Sequence, residues 1–176
     1  PSDELQLTKN TQPAILTVSY SIYETLKQEF NFDFSSFKFF AGHSLGEYSA
    51  LVCSDSLKFE DALYLLHQRG TAMQEAVPVG LGSMVAILGT KIDLIKEIIN
   101  LNLSKDDVCE IANDNAEGQV IISGKKDSVE RIEKVLKERK IKSIQLKVSA
   151  PFHCTLMRPA AEYMTNKINN VEFKIP

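Results

Sequence analysis

The chemistry in this chain starts from one serine. Ser44 lies in Gly42-His43-Ser44-Leu45-Gly46, a Gly-x-Ser-x-Gly pattern. This is the spacing of a nucleophile elbow, a sharp strand-to-helix turn that lifts a hydroxyl out of the fold. A serine so placed sits at a helix N-terminus, where free N–H groups and the positive end of the helix dipole stabilise an oxyanion. The tightness of the turn predicts that both flanking positions, Gly42 and Gly46, must lack a side chain.

A serine hydroxyl is a weak nucleophile and needs a positioned base. The chain has three histidines. His43 adjoins the serine, and neighbouring side chains at a tight turn usually diverge, which favours packing or bracing the elbow over a role as base. His67 falls at the edge of an apolar helix face and reads as a partly exposed helix residue. His153 lies in the loop Ser149-Ala150-Pro151-Phe152-His153-Cys154, just past a predicted strand, where catalytic groups are commonly displayed. It follows the serine in the chain, the order found in elbow hydrolases. His153 is the favoured base, although a lone loop histidine can also be a solvated or capping residue. No Asp or Glu between Ser44 and His153 stands out as a third triad member. Asp106, Asp107, Asp114 and Asp127 all fall in turns of a predicted subdomain. That absence counts against a hydrolase.

The third chemical signal is Arg69. At 100° per residue, Phe59, Ala62, Leu63, Leu65, Leu66, Gly70, Met73, Ala76 and Val77 share one arc of about 160° on a helix over 59–77. Arg69 lies inside that arc, between Leu65 and Met73. A guanidinium there must snorkel out, meet a structural carboxylate or wait for an anionic ligand, because an unpaired buried charge is costly.

The elements that must position these residues are legible from periodicity and punctuation. Residues 1–10 are polar and read as a surface segment. Thr11 and Pro13 mark the start of a helix, which runs to Phe30 with Ile15, Val18, Ile22, Leu26 and Phe30 facing the core. Phe37 to Phe40 reads as a short buried strand before the elbow, and Leu45 to Val52 as the helix behind it, broken by Ser54-Asp55-Ser56. Residues 83–89, 108–112, 119–123 and 141–148 read as strands, and 91–103 and 125–140 as helices, with a turn over 113–118. The order β-α-β-β-α-β is that of a ferredoxin-like motif. The predicted architecture is therefore α/β: an α/β-hydrolase-like main domain, 1–81 and 149–176, with an inserted ferredoxin-like (βαββαβ) subdomain over 82–148. Thr155 to Asn170 reads as a closing helix that tolerates Pro159 in an early turn, and Lys174 onward as the start of a strand.

Composition narrows the function class. Hydrophobic residues at 44% and charged residues at 24% are ordinary for a globular protein. A net charge of −3 gives no field for nucleic acid. No apolar run approaches the ~18 residues that a membrane span needs. Cys53, Cys109 and Cys154 are odd in number and share no C-x-x-C spacing. That argues against a disulfide framework or a zinc site and fits a reducing compartment. The chain starts at Pro1 without Met and ends at Pro176 with no closing element. It reads as an internal fragment, for which an absent targeting signal proves nothing.

Taken together, the residues match a known family. Thr11-Gln12-Pro13-Ala14-Ile15-Leu16, Gly42-His43-Ser44-Leu45-Gly46-Glu47-Tyr48, Arg69-Gly70, Met73-Gln74-Glu75-Ala76-Val77-Pro78, Gly82-Ser83-Met84-Val85-Ala86-Ile87, Asn113-x-Asn115, Gly118-Gln119-Val120-Ile121-Ile122-Ser123-Gly124 and Pro151-Phe152-His153 follow one another in family order. The chain resembles bacterial malonyl-CoA:acyl-carrier-protein transacylases and, more widely, the acyltransferase domains of fatty-acid and polyketide synthases. The resemblance implies that Ser44 is the acyl-accepting nucleophile and His153 its base and later acid. It implies that Arg69 clamps the malonyl carboxylate, that the Leu45 backbone N–H is one oxyanion donor, and that Asn115 and Gln119 lie near the active-site wall. Here Ala116-Glu117 replaces the family's frequent Ser-Pro.

It implies a cytoplasmic, monomeric enzyme of fatty-acid biosynthesis with no bound cofactor. Malonyl-CoA and phosphopantetheine-carrying acyl carrier protein would be its substrates, with neither nucleic acid nor membrane as partner. The family's Gly- and Gln-rich oxyanion loop would precede Pro1, and the portion whose backbone carbonyl orients the histidine would follow Pro176. The competing readings are a serine hydrolase of esterase or thioesterase type and a non-catalytic acyltransferase-like module.

Overall fold

A computed structural model describes residues 2–148 and 150–176. Pro1 and Ser149, the first residues of the expected polar segment and of the histidine loop, lie outside the described residues. The chain divides into two compact units, Pro1–Ala72 with Glu162–Pro176 and Met73–Ala161.

The first unit contains α1 (Ser2–Leu5), α2 (Thr8–Gln28), α3 (Gly46–Cys53) and most of α4 (Phe59–Ala76). Its core is Leu16, Val52, Leu57, Ala62, Leu65, Leu66 and Met164, with Tyr20, Leu45, Tyr48 and Phe59 packed around them. The apolar arc read on α4 is borne out, since Ala62, Leu65 and Leu66 are fully buried. Gly70 has a steric reason. A Cβ there would lie 2.4 Å from the Lys9 Cα, so only glycine lets α4 approach the first turn of α2 this closely.

Four expectations for this unit fail. Residues 3–7 are exposed as expected, but α2 begins at Thr8 rather than at Thr11. Thr11 is not a cap; its hydroxyl donates to the Leu7 carbonyl of the preceding turn (3.1 Å). The expected inward face of α2 points outward: Val18 is 60% exposed and Phe30 71%. The helix instead buries the row Thr8, Gln12 and Leu16. Residues four apart share a stripe, but a helix with two candidate stripes is oriented by its neighbours. Phe37 to Phe40 is neither strand nor buried, with Phe39 87% exposed, and Lys174 onward is likewise not a strand. A strand needs a partner backbone for its ladder, and among the described residues every sheet strand belongs to the other unit.

The second unit carries β1 (Gly82–Leu88), α5 (Ile92–Asn102), β2 (Cys109–Ala116), β3 (Gln119–Lys125), α6 (Lys126–Glu138) and β4 (Lys142–Gln145). The sheet order is β2-β3-β1-β4, with every neighbouring pair antiparallel. Alternation in β1 sorts its residues by face. Val85 and Ile87 join Ile95, Ile98, Val129, Ile132 and Leu136 from α5 and α6 in one core. Met84 and Ala86 join Ile121 on the opposite face, where Phe152 packs. Irregularities in register at Ile111/Asn113 and Asp114/Ala116 let β2 continue past the expected end at Ala112. The expected turn over 113–118 shrinks accordingly to Glu117-Gly118. After the loop that carries His153 come a 3-10 turn, Thr155–Met157, and α7 (Arg158–Ile168).

Asp107 ties this unit together. Its carboxylate accepts from the Ser104 N–H and hydroxyl (both 2.9 Å) and from the Ser128 hydroxyl (3.0 Å), and it pairs with Arg131. The Ser104 backbone hydrogen bond, then the Ser104 and Ser128 hydroxyls and the Arg131 charge, hold its pKa down at about 2. A folded-state value below the unfolded one contributes stability above the unfolded pKa that is lost as pH falls through the folded value. Asp107→Asn should therefore lower Tm by a few degrees at pH 7. The gap to the parent chain should close between pH of about 4 and 2, as followed by calorimetry across that range.

Candidate active site

At the elbow of the first unit the expected tight turn leads into a helix, α3, although no strand precedes it. Ser44 adopts φ +54°, the left-handed region that costs a non-glycine residue about 1 kcal/mol. Such strain concentrates at functional turns. Leu45 follows at φ −60° as the residue before α3. The turn is held by Gly46 N–H to the His43 carbonyl (2.8 Å) and Glu47 N–H to the Ser44 carbonyl (3.2 Å). The expectation for the two glycines is half right. A Cβ on Gly42 would lie 1.8 Å from the Gly46 carbonyl oxygen, whereas one on Gly46 would meet nothing within 4 Å. Position 42 faces the helix that it must pass; position 46 faces outward.

Arg69 reaches this turn from α4. Its Nη2 donates to Ser44 Oγ (3.1 Å) and its Nη1 to Gln12 Oε1 (2.5 Å). The guanidinium is partly buried, and burial pushes its pKa down while nearby Tyr48 and Glu47 oppose that shift. Arg69 forms no salt bridge among the described residues. Its two hydrogen-bond partners are neutral, so the structural carboxylate considered for it is not found. Two of its five donors are used, and a cation with donors to spare stands at the serine hydroxyl. Such a group can hold a carboxylate beside the Ser44 hydroxyl.

Gln12 is the residue of this site that the sequence does not single out. It is 2% exposed, and its Nε2 donates to Thr8 Oγ1 (2.9 Å). That bond directs the amide oxygen at Arg69. The available signal was a glutamine one helical turn from a threonine, immediately before Pro13, on a helix otherwise read for its apolar residues.

The structure thus brings Ser44, Leu45, Arg69 and Gln12 together. His153, Asn115 and Gln119 belong to the second unit. His153 is exposed and adopts φ +59°, in a loop fastened on both sides. Pro151 is buried against Gly82, the Phe152 N–H points to Met84 Sδ (3.3 Å), and the Cys154 thiol donates to the Pro151 carbonyl (3.2 Å). Asn115 and Gln119 are exposed residues at the β2–β3 end, Asn115 within the strand rather than in a turn. His43 and His67 are exposed. No group of three metal-binding side chains exists among the described residues, and no described helix is long and apolar enough to cross a membrane.

A family model described as the acyl transferase domain matches residues 1–176. The chain belongs to the acyl transferase family. Among curated relatives of this acyl transferase chain, the malonyl CoA-acyl carrier protein transacylase of Bacillus subtilis is 42% identical over 175 residues, which is 98% of this chain and 54% of the relative. The solved malonyl CoA-acyl carrier protein transacylase of Coxiella burnetii superposes with a TM-score of 0.94 at 39% identity, covering 100% of this chain and 55% of that one. A malonyl-transacylase solved in complex with a type II PKS acyl-carrier protein superposes with a TM-score of 0.92 at 38% identity, covering 100% and 56%. The acyl transferase chain therefore spans about half the length of the curated relatives it matches.

Proposed function

We propose that this chain carries the acyl-loading site of an enzyme that moves a malonyl group from malonyl-CoA to the phosphopantetheine thiol of acyl carrier protein, in fatty-acid biosynthesis. The observation that carries the proposal is the desolvated Arg69 guanidinium. Among the described residues it is hydrogen-bonded to Ser44 and Gln12 and to no carboxylate, at the hydroxyl of a strained elbow serine. A cation in that place selects an acyl group that ends in a carboxylate.

In the proposed cycle the His153 imidazole takes the Ser44 proton as Oγ attacks the thioester carbon. The Leu45 N–H receives the developing oxyanion. Collapse breaks the C–S bond, and CoA leaves with the proton from His153. The carrier thiol then gives its proton to His153 and attacks the malonyl ester. Ser44 leaves as the alkoxide and takes the proton back. Asn115 and Gln119 contribute to the wall of the site. No cofactor takes part, and the enzyme acts as a cytoplasmic monomer without membrane or nucleic acid. The finer architecture belongs to the same proposal: an α/β-hydrolase-like domain formed by 1–81 and 149–176, and a ferredoxin-like insertion over 82–148. The order of β1, α5, β2, β3, α6 and β4 and the β2-β3-β1-β4 sheet support the insertion.

Incubating the full-length protein with malonyl-CoA and measuring intact mass tests the reading. A covalent malonyl adduct that disappears on adding carrier protein is expected. Turnover to free malonate without carrier would establish a hydrolase instead, and no adduct at all a non-catalytic module.

A further inference from the structure

We propose that Glu110 is the positioning residue of the histidine loop, a role that rests on reading His153 as the proton carrier. Glu110 stands in β2 opposite Ser123 of β3, which in turn pairs with Met84 of β1, on the face of the sheet that packs Phe152. Its Oε2 accepts the Thr155 backbone N–H (2.9 Å) and its Oε1 the Thr155 hydroxyl (2.7 Å). The carboxylate therefore caps the 3-10 turn that starts two residues after His153. It satisfies an N–H with no partner inside that turn, and charge makes both bonds strong.

The loop needs such an anchor. His153 holds a left-handed φ of +59°, which persists only where the surroundings over-determine it. On the N-terminal side, buried Pro151 and the Phe152 contacts pin the loop to β1. On the C-terminal side, among the described residues, the pair of bonds from Glu110 to Thr155 crosses back to the sheet. The imidazole is thus clamped between two strands.

Both hydrogen bonds of the carboxylate go to Thr155, so Glu110 acts through the backbone and is not a triad acid. It fixes where the imidazole points without setting its proton affinity. A displacement of about 1 Å at a reacting group can cost a hundred-fold in rate, so partial loosening of one loop end should cost about ten-fold.

Single-turnover acylation of the full-length enzyme by malonyl-CoA, followed across pH by quenched-flow mass spectrometry, tests the assignment. Glu110→Ala should slow acylation about ten-fold at saturating substrate, with KM for malonyl-CoA and the midpoint of the pH profile unchanged. Thr155→Val, which keeps the fold intact if Glu110→Ala does not, should give a smaller loss, and Thr155→Ser should restore the rate. The double variant Glu110→Ala/Thr155→Val should be no slower than Glu110→Ala alone, because both changes break one contact. An unchanged rate, a loss confined to KM, multiplicative losses in the double variant, or a moved pH midpoint would each overturn the role. His153→Ala is the separate control. If it acylates at the parent rate, the histidine is not the base and the underlying reading falls by itself.

Discussion

Replacing Ser44 with alanine is expected to remove the covalent malonyl-enzyme and lower transfer by about 10⁴-fold or more, the scale on which loss of an activated serine acts. Intact mass after incubation with malonyl-CoA reads the result, and an adduct that persists would identify another nucleophile. The backbone adds a second readout. Ser44 sits at φ +54°, which alanine tolerates no better than serine, whereas glycine adopts it freely. Ser44→Gly should therefore be as inactive as Ser44→Ala yet unfold at a higher temperature, because the about 1–2 kcal/mol of left-handed strain that it relieves exceeds the about 0.4–1 kcal/mol by which glycine favours the unfolded chain. Equal melting temperatures would show that the elbow stores no strain.

Replacing Arg69 with alanine should cut malonyl transfer by about 10²–10³-fold, the range expected when a charge-assisted, hydrogen-bonded ion pair with the substrate is lost. Transfer of an acetyl group, which offers no carboxylate, should hold or improve. Competition between malonyl-CoA and acetyl-CoA measures the ratio directly, and equal loss of both would refute the clamp. Arg69→Lys should recover little. A lysine ammonium is a compact point charge without the planar fork, and it cannot reach Gln12 Oε1 and Ser44 Oγ together with the same geometry.

Several features are readable in the sequence because local rules govern them. The apolar arc of α4 follows from helical period, and Ala62, Leu65 and Leu66 are buried as expected. Arg69 was conspicuous as a charge inside that arc. Its actual partners were not readable, because Gln12 lies 57 residues away and only helix packing brings it near. Glu110 escaped for the same reason: it meets Thr155 from 45 residues away, and nothing in its local sequence marks it. The α2 error is of another kind. Ile15, Val18, Ile22 and Leu26 do share a face, but the row of Thr8, Gln12 and Leu16 faces the core, and no periodicity chooses between two stripes. The exposed Phe37–Phe40 run shows the limit for strands, since an apolar extended segment becomes a strand only when another backbone accepts its hydrogen bonds.

The amino-acid sequence by itself determined the turn at Ser44, the order of helices and strands from Gly82 to Gln145, and the choice of Ser44, Arg69 and His153 as candidate side chains. These depend on turn sterics and periodicity, which act over a few residues. Only the tertiary structure decided that Gly42 and not Gly46 is sterically required, that Arg69 is held by a neutral amide and a serine hydroxyl, and that a sheet carboxylate fastens the histidine loop. Those outcomes depend on contacts between segments far apart in the chain, where close packing and hydrogen-bond geometry, not local propensity, select the partner.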